Sequence, residues 1–338
     1  MIERGRSSFR VAYHAAPASA LLEQPDTLAV FGFGSADGPT GDPRHLRVPL
    51  PQLSRDAVHE CWSAPGVVTH GSADELRWSA GGGWRFVAVE AMEAPAEEIE
   101  ATSERAYRLL LDHVAACPEG HLLRIWNYLG AINEGEGDRE RYRLFCNGRA
   151  RGLAAHGVTG YPAATAIGHH GPRGLLQVYA LCASEPGGAL ENPRQVSAWQ
   201  YPREYGPTAP SFARAMRLPD GDLAISGTAA VIGHASHHRH DVAAQADEAF
   251  ANLETLLQRS DMRAFDANSP LKVYVRNGEE VRAVEAALAR HLDASVPRLL
   301  LQGDICRREL LVEIDGWRFE SRENRGQNAV SQNRPRAS

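Results

Sequence analysis

The chain has 338 residues, 43% hydrophobic and 23% charged, with a formal net charge of −6. This is an ordinary globular composition, long enough for two domains, and the negative balance argues against a nucleic-acid partner, which calls for a basic patch. No run of about 18 apolar residues occurs, and the opening MIERGRSSFRVAYHA lacks an apolar stretch of signal-peptide length, so no membrane partner and a cytoplasmic location are expected.

In chain order, LAVFGFG (28–34) reads as a buried strand ending in glycines and WRFVAVEAME (84–93) as another strand. SERAYRLLLDHVAA (103–116) has apolar residues at helical spacing, with Ser103 as the expected N-cap. HLLRIWNYLGAIN (121–133) is strand-like, 133–140 is a polar loop, and RYRLFCNGRARGL (141–153) reads as a helix that fades at Gly148. GLLQVYALCA (174–183) is a strand. A second pass then begins near residue 195. QVSAWQYP and DLAISGTAAVIG (222–233) read as strands, DVAAQADEAFANLETLLQRS (241–260) as an amphipathic helix capped by Asp241, LKVYVRN (271–277) as a strand and GEEVRAVEAALARHL (278–292) as a helix. In GDICRRELLVEIDG (303–316), strand periodicity places Leu310, Val312 and Ile314 on one face and Leu311, Glu313 and Asp315 on the other, in a strand that reads as half-buried. The tail after 320 is polar and expected to be disordered.

The two passes look like one unit used twice. At an offset of 135, Pro162 meets Pro297, Gly168 meets Gly303 and Val178 meets Glu313; the helices align at 143, Ala106-Tyr107 against Ala249-Phe250. The first copy therefore lacks the acid, which hints that Glu313 does chemistry. The expected division is an N-terminal domain over 1–153 without a catalytic acid, a catalytic domain over 154–320 and a tail over 321–338.

Several constellations are candidates. A carboxylate on a partly enclosed face, such as Glu313 or Asp315, has its pKa raised by desolvation and can donate a proton near neutral pH; the alternative is a face paired with Arg307 or Arg308. Cys306 is either a site residue or a small buried hydrophobe. Arg149, Arg151, Arg203 and Arg214, with Tyr201 and Tyr205, form two clusters suited to a small dianion, because guanidinium forks bind carboxylates in bidentate fashion. In SGTAA (226–230), Gly227 and Thr228 sit where small residues permit close approach to a ligand. His234, His237, His238 and His240 have no zinc-site spacing and read as a polar loop. Five cysteines, odd in number and never in CxxC spacing, give no disulfide frame and no metal site. GFGSADG (32–38) and GGG (81–83) do not fit a dinucleotide fingerprint, so no cofactor is expected.

The C-terminal pass resembles the Rid (reactive intermediate deaminase, YjgF-like) family in ISGTAA, DVAAQADEAFANLETLL and VPR…LLVEID. In that family a carboxylate-binding arginine precedes the catalytic-region glutamate by the same interval that separates Arg298 from Glu313. A larger resemblance, over roughly residues 100–320, is to the chorismatases. RIWNYLGAIN, RYRLFCNGRARGL, YPREYGP, SGTAAVIGH and DICRRELLVEIDG carry it. It implies an α+β fold of two Rid-like units, mixed sheets with helices on one face, and an active site in the C-terminal unit. It implies chorismate as substrate, with Glu313 as the acid that protonates the enolpyruvyl ether, pyruvate as leaving product and no cofactor. Arg149, Arg214, Tyr201, Tyr205 and, as a lesser candidate, Arg298 would hold the carboxylates. A cysteine seven residues before the acid, as Cys306 is, marks the hydroxybenzoate-forming type, giving 3-hydroxybenzoate and in some members 4-hydroxybenzoate as well. The alternatives are hydrolysis of chorismate to the dihydroxycyclohexadiene carboxylate, and a Rid-type enamine or imine deaminase. A monomer or a homotrimer is expected.

Overall fold

The computed structural model of the chain describes residues 8–34, 40–54, 58–95, 97–158 and 160–320. The tail expected over 321–338 and positions 35–38 of the glycine-rich stretch GFGSADG lie outside the described residues.

The described strands form three sheets and one short hairpin. The N-terminal segment supplies β1 (Arg10–His14), the short helix α1 (Ala18–Leu22), β2 (Thr27–Phe33), β3 (His45–Val48) and β4 (His59–Ser63), in a sheet of order β1-β4-β2-β3. The first repeat then runs β5 (Thr69–Ala73), β6 (Leu76–Gly81), β7 (Trp84–Met92), α2 (Ile99–Ala115), β8 (His121–Gly130), α3 (Arg141–Ala155), β9 (Ala163–His169) and β10 (Leu175–Ala183). The second runs β11 (Gly188–Leu190), β12 (Ala215–Arg217), β13 (Leu223–Ala229), the hairpin β14 (Val231–Ile232) and β15 (Ala235–Ser236), α4 (Val242–Arg259), β16 (Leu271–Val275), α5 (Val281–His291), β17 (Arg298–Gln302), β18 (Asp304–Ile305) and β19 (Val312–Arg318).

The sheet orders β9-β8-β10-β7-β6-β5 and β17-β16-β19-β13-β12-β11 have the same connectivity, so the internal repeat is real in topology. Its boundary differs from the expected one. β9 and β10 belong to the first sheet, so a cut at 153/154 would split the first unit; the sheets part between Ala183 and Gly188. The strand match of β10 to β19 is right, but its register is off by one. Val178 packs among the residues facing α2 and α3, as Val312 and Ile314 pack toward α4 and α5. A one-residue slip flips a side chain to the other face. Gln177 and Tyr179 are the inner-face positions of β10, and neither is an acid. The first unit still lacks one.

Each unit covers one sheet face with two helices. Ile99, Ala106, Tyr107, Leu110 and Val114 form the buried stripe of α2, and Val242, Ala246, Phe250, Leu253 and Leu257 that of α4, both at helical spacing. The other faces of the sheets meet in a common core with the N-terminal sheet. Aromatic rings from all three sheets fill it: Trp62 lies 5.3 Å from Trp126 and 6.0 Å from Trp317, and Trp126 stacks on Tyr179 at 5.0 Å. β19 is therefore buried on both faces rather than half-buried, and it begins at Val312, after Leu310 and Leu311.

Other local expectations change. α2 starts at Ile99, and Ser103 lies inside it, donating its hydroxyl to the Glu100 and Phe145 carbonyls. QVSAWQYP holds a 3₁₀ turn at Ala198–Gln200 instead of a strand. Asp241 does cap α4, its carboxylate accepting from the Ala244 amide at 3.0 Å. Among the described residues no helix is long and apolar enough to cross a membrane.

α3 does not fade at Gly148 but runs through it. A Cβ at Gly148 would stand 2.0 Å from the Glu100 carbonyl oxygen, and one at Gly152 would stand 2.6 Å from the Tyr107 Cβ. The glycines thus let α3 lie directly on α2, which fixes the helix that carries Arg149. Gly148→Ala should therefore destabilise the protein by about 2 kcal/mol or more despite alanine's better helix propensity. A fall in the denaturant midpoint at unchanged m value would show it; an unchanged or raised midpoint would contradict the close packing.

Candidate active site

A cavity of about 430 Å³ lies on the seam between the two units. α3 and β9 form one wall; β13, β19, the β14–β15 hairpin and the segment 195–214 form the other. The expectation of a site within the C-terminal unit is corrected accordingly: each unit supplies only part of it.

Glu313 is the centre of this cavity. Its side chain leaves β19 toward the core, 5% exposed, and no hydrogen bond reaches its carboxyl group among the described residues. The neighbouring strand explains the fit. β13 pairs with β19 with a register shift between Ile225 and Thr228, so Gly227 lies in a bulge. A Cβ on Gly227 would stand 1.9 Å from Glu313 Oε1, so only glycine leaves room for the carboxyl. Thr228 does not line the cavity; its hydroxyl donates to the Ser226 carbonyl at 2.9 Å. Burial pushes the Glu313 pKa up to about 8, the charge of Asp315 adds to this, and Arg124, Arg214 and Arg307 pull against it. Glu313 is thus a carboxylic acid at neutral pH, able to give a proton.

Four guanidiniums line the cavity without a carboxylate ion-pair partner among the described residues: Arg149, Arg214 and Arg307, and the exposed Arg308, which donates to the Asn133 and Gly135 carbonyls. Arg149, 3% exposed on α3, donates to the Ser211 carbonyl at 2.7 Å. Arg214 donates to the Val196 carbonyl at 2.8 Å and to the Tyr201 hydroxyl at 2.7 Å. Both keep a buried Nε without a partner. Arg307 stacks over Tyr205 at 4.0 Å and Tyr201 at 5.0 Å while donating to the His234 carbonyl at 2.8 Å. Buried cations of this kind are suited to an anion that brings its own charge. Arg151, two residues along α3 from Arg149, pairs with Glu100 at 2.6 Å, so of the two it is Arg149 that lines the cavity. Arg203 likewise pairs with Asp138 at the surface. Arg298 starts the edge strand β17, opposite Leu271, and is not part of the cavity wall.

Cys306 lines the cavity, half-buried, in the loop between β18 and β19. Burial, and then the charge of Glu313, push its thiol up to about 12, so it is a neutral thiol and not a thiolate. Arg276 at the end of β16 shapes this loop, donating to the carbonyls of Ile305, Arg307 and Leu310 at 2.8–2.9 Å. Of the histidines, His234 reaches the Tyr205 hydroxyl at 3.3 Å and His238 lies 3.2 Å from Glu248, so the segment is a hairpin flanking the cavity. Sequence reasoning singled out neither Arg307 as a cavity residue nor Arg276 and Phe212. The doubled arginine after Cys306, in a chain of negative net charge, was the available signal for the first.

The family profile described as "Chorismatase FkbO/Hyg5-like, N-terminal" matches residues 60–182. A 3-hydroxybenzoate synthase from Streptomyces hygroscopicus is 33% identical over 290 residues, covering 80% of this chain and 84% of that protein. The chain belongs to the chorismatase family. A chorismatase from Streptomyces rapamycinicus is 35% identical over 278 residues, with 77% and 82% covered. A chorismatase crystal structure superposes with a TM-score of 0.81 at 30% identity, covering 92% of this chain and 98% of that one. The α+β fold of this chorismatase family member, with duplicated mixed sheets and helices on one face of each, is the expected one.

A raised carboxyl pKa has a consequence for stability. Between the ordinary value of 4.5 and about 8, the unfolded chain has lost a proton that folded Glu313 keeps, so stability falls as pH rises through that window. Glu313→Gln removes this dependence. The variant should be the more stable protein at pH 9, by on the order of 4 kcal/mol, and the gap should close below about pH 4.5. Parallel stability–pH curves from denaturant titration would refute the burial of an acid at this position.

Proposed function

We propose that this chain cleaves chorismate to 3-hydroxybenzoate and pyruvate. The observation that carries the reading is Glu313, a buried acid without a hydrogen bond among the described residues, facing a cavity that Arg149, Arg214 and Arg307 line without carboxylate partners among those residues. Chorismate is a dianion, with a ring carboxylate and a second on the enolpyruvyl ether. Arg149, Arg214 and Arg307, with the hydroxyls of Tyr201 and Tyr205, hold the two carboxylates. Ala164, Phe212, Ala229 and Leu310 offer apolar surface to the ring.

Bound in this way, the enolpyruvyl methylene carbon takes the proton of Glu313. The positive charge that forms is shared with the ether oxygen. The bond between the ring carbon and the ether oxygen then breaks, the ether oxygen leaving as the carbonyl of pyruvate; the neighbouring ring hydroxyl oxygen shifts onto the vacated carbon, and the Glu313 carboxylate recovers a proton from the ring as it becomes aromatic. Chorismate has the same atoms as 3-hydroxybenzoate plus pyruvate, so this route takes up no water; the route to the dihydrodiol takes up one. Cys306, a neutral thiol on the wall, keeps water from the cation and turns the reaction toward the aromatic acid. The imine-deaminase reading depends on Arg298 acting with Glu313, and Arg298 lies outside the cavity. Both walls come from one chain, which supports a monomer as the working unit of a cytoplasmic enzyme.

Purified protein incubated with chorismate should release pyruvate and 3-hydroxybenzoate, with or without 4-hydroxybenzoate, well above the spontaneous background. Glu313→Gln should lose at least ~10²-fold in kcat/KM, about 3 kcal/mol of transition-state stabilisation. No enzymatic pyruvate from the native chain would end the reading, and full turnover by the Gln variant would remove Glu313 from the mechanism. Cys306→Ala should keep pyruvate release within about tenfold while moving ring product toward the dihydrodiol, seen by chromatography. An unchanged product ratio would take the product-directing role from Cys306.

A further inference from the structure

Glu313 and Asp315 lie two residues apart on β19, on the same face. Their surroundings are opposite. Asp315 is fully buried, and its Oδ2 accepts from Trp126 Nε1 at 2.9 Å, Thr165 Oγ1 at 2.8 Å and the Tyr274 hydroxyl at 2.9 Å. The Arg124 guanidinium stands 3.3 Å from the same oxygen, and the Lys272 ammonium 4.0 Å from Oδ1. Donors thus come from β8, β9 and β16. Glu313 receives no hydrogen bond among the described residues; Arg124, Arg214 and Arg307 act on it only through space, and Cys306 is a neutral neighbour.

Two carboxylates in one low-dielectric region do not both ionise freely, and the one with donors keeps the charge. The surrounding cluster is also balanced. Lys272 is paired with Glu60 at 3.0 Å, and Arg124, which also pulls on Glu313 through space, is held 3.3 Å from Asp315. Asp315 does not line the cavity.

We propose that Asp315 is a positioning residue for the reaction: its fixed negative charge, one strand repeat behind Glu313, holds Glu313 in the acid form that donates the proton. This rests on the reading of Glu313 as proton donor. It differs from a purely structural role in that it acts on a titration.

Asp315→Asn keeps the size and one acceptor and removes the charge. Titration of Glu313 is followed without substrate by ¹³C-carboxyl NMR, with Glu313→Gln assigning the signal, so its outcome does not depend on chorismate turnover. The midpoint, about 8 in the native chain, should fall by on the order of one unit or more in Asp315→Asn, as expected for a charge about 7 Å away. The alkaline limb of kcat/KM should move down with it. Where this variant does not fold, the charge-balanced pair Asp315→Asn with Arg124→Gln should move the midpoint the same way by less. An unmoved midpoint in a folded variant would overturn the proposal. A shifted midpoint in a protein that does not turn over chorismate would leave it standing and sink only the assigned reaction.

Discussion

The molecule depends on a cluster of charges buried where its three sheets meet. Glu60 comes from the N-terminal sheet, Arg124 from the first unit, and Lys272 and Asp315 from the second, each no more than 1% exposed. The Lys272 ammonium is held by Glu60 at 3.0 Å and lies over the Trp126 ring at 4.7 Å, and Trp62 donates to Glu60 at 2.7 Å. Burial would lower the Lys272 pKa, but the charge of Glu60, and then Tyr128 and Asp315, outweigh it and hold the group protonated. Taking such ions from water costs several kcal/mol each, and leaving one without its partner costs about 3–5 kcal/mol. The cluster is satisfied only when all three sheets are docked in one arrangement. Hydrophobic burial alone tolerates sliding between faces; point charges at 3 Å do not.

That constraint reaches the site through Thr165. Its hydroxyl donates to Asp315 and accepts from Arg124 at 2.5 Å, and its residue forms part of the cavity wall beside Gly227. One threonine thus joins the buried charges to the floor on which Glu313 rests. The presence of the buried acid in only one copy of the repeat follows from the same geometry. Equivalent inner-face positions on β10 hold Gln177 and Tyr179; Gln177 is spent on the N-terminal sheet, donating to the Arg47 carbonyl at 2.8 Å, and Tyr179 lies in the aromatic core. The first unit has become a wall for the site of the second.

Much of this was legible in the sequence. Helical spacing marked α2, α4 and α5, and alternating or continuous apolar runs marked β2, β7, β10, β13 and β16. Glu313 was visible as an acid in an apolar strand, and Arg149, Arg214, Tyr201 and Tyr205, expected there as a dianion-binding set, do line the same cavity as Glu313. What was not legible came from packing between distant segments. Gly148 breaks a helix by propensity, and only contact with Glu100 and Ser103 shows why it does not break this one. Arg298 matched by interval, yet interval along a chain says nothing about which side of a sheet edge a residue occupies. Val178 and Glu313 matched by a gap of 135, and a single residue of slip was invisible until faces could be compared. The role of Asp315 was not legible because its five partners come from three other strands, each partner more than 40 positions away.

The two-residue strand β18 has one more implication. It leaves the second unit to pair with β9 at the edge of the first sheet, Asp304 opposite Gly168 and Ile305 opposite Ile167. Gly168 is tight there, since an added Cβ would stand 2.4 Å from Ile132. Cys306 and Arg307 follow immediately. These two cavity residues therefore ride on the neighbouring unit's sheet and not on their own. The halves are laced together at the seam, so the cavity behaves as a mortise with a fixed width, and a rigid rotation of one unit against the other would have to unzip β18 before it could open the site.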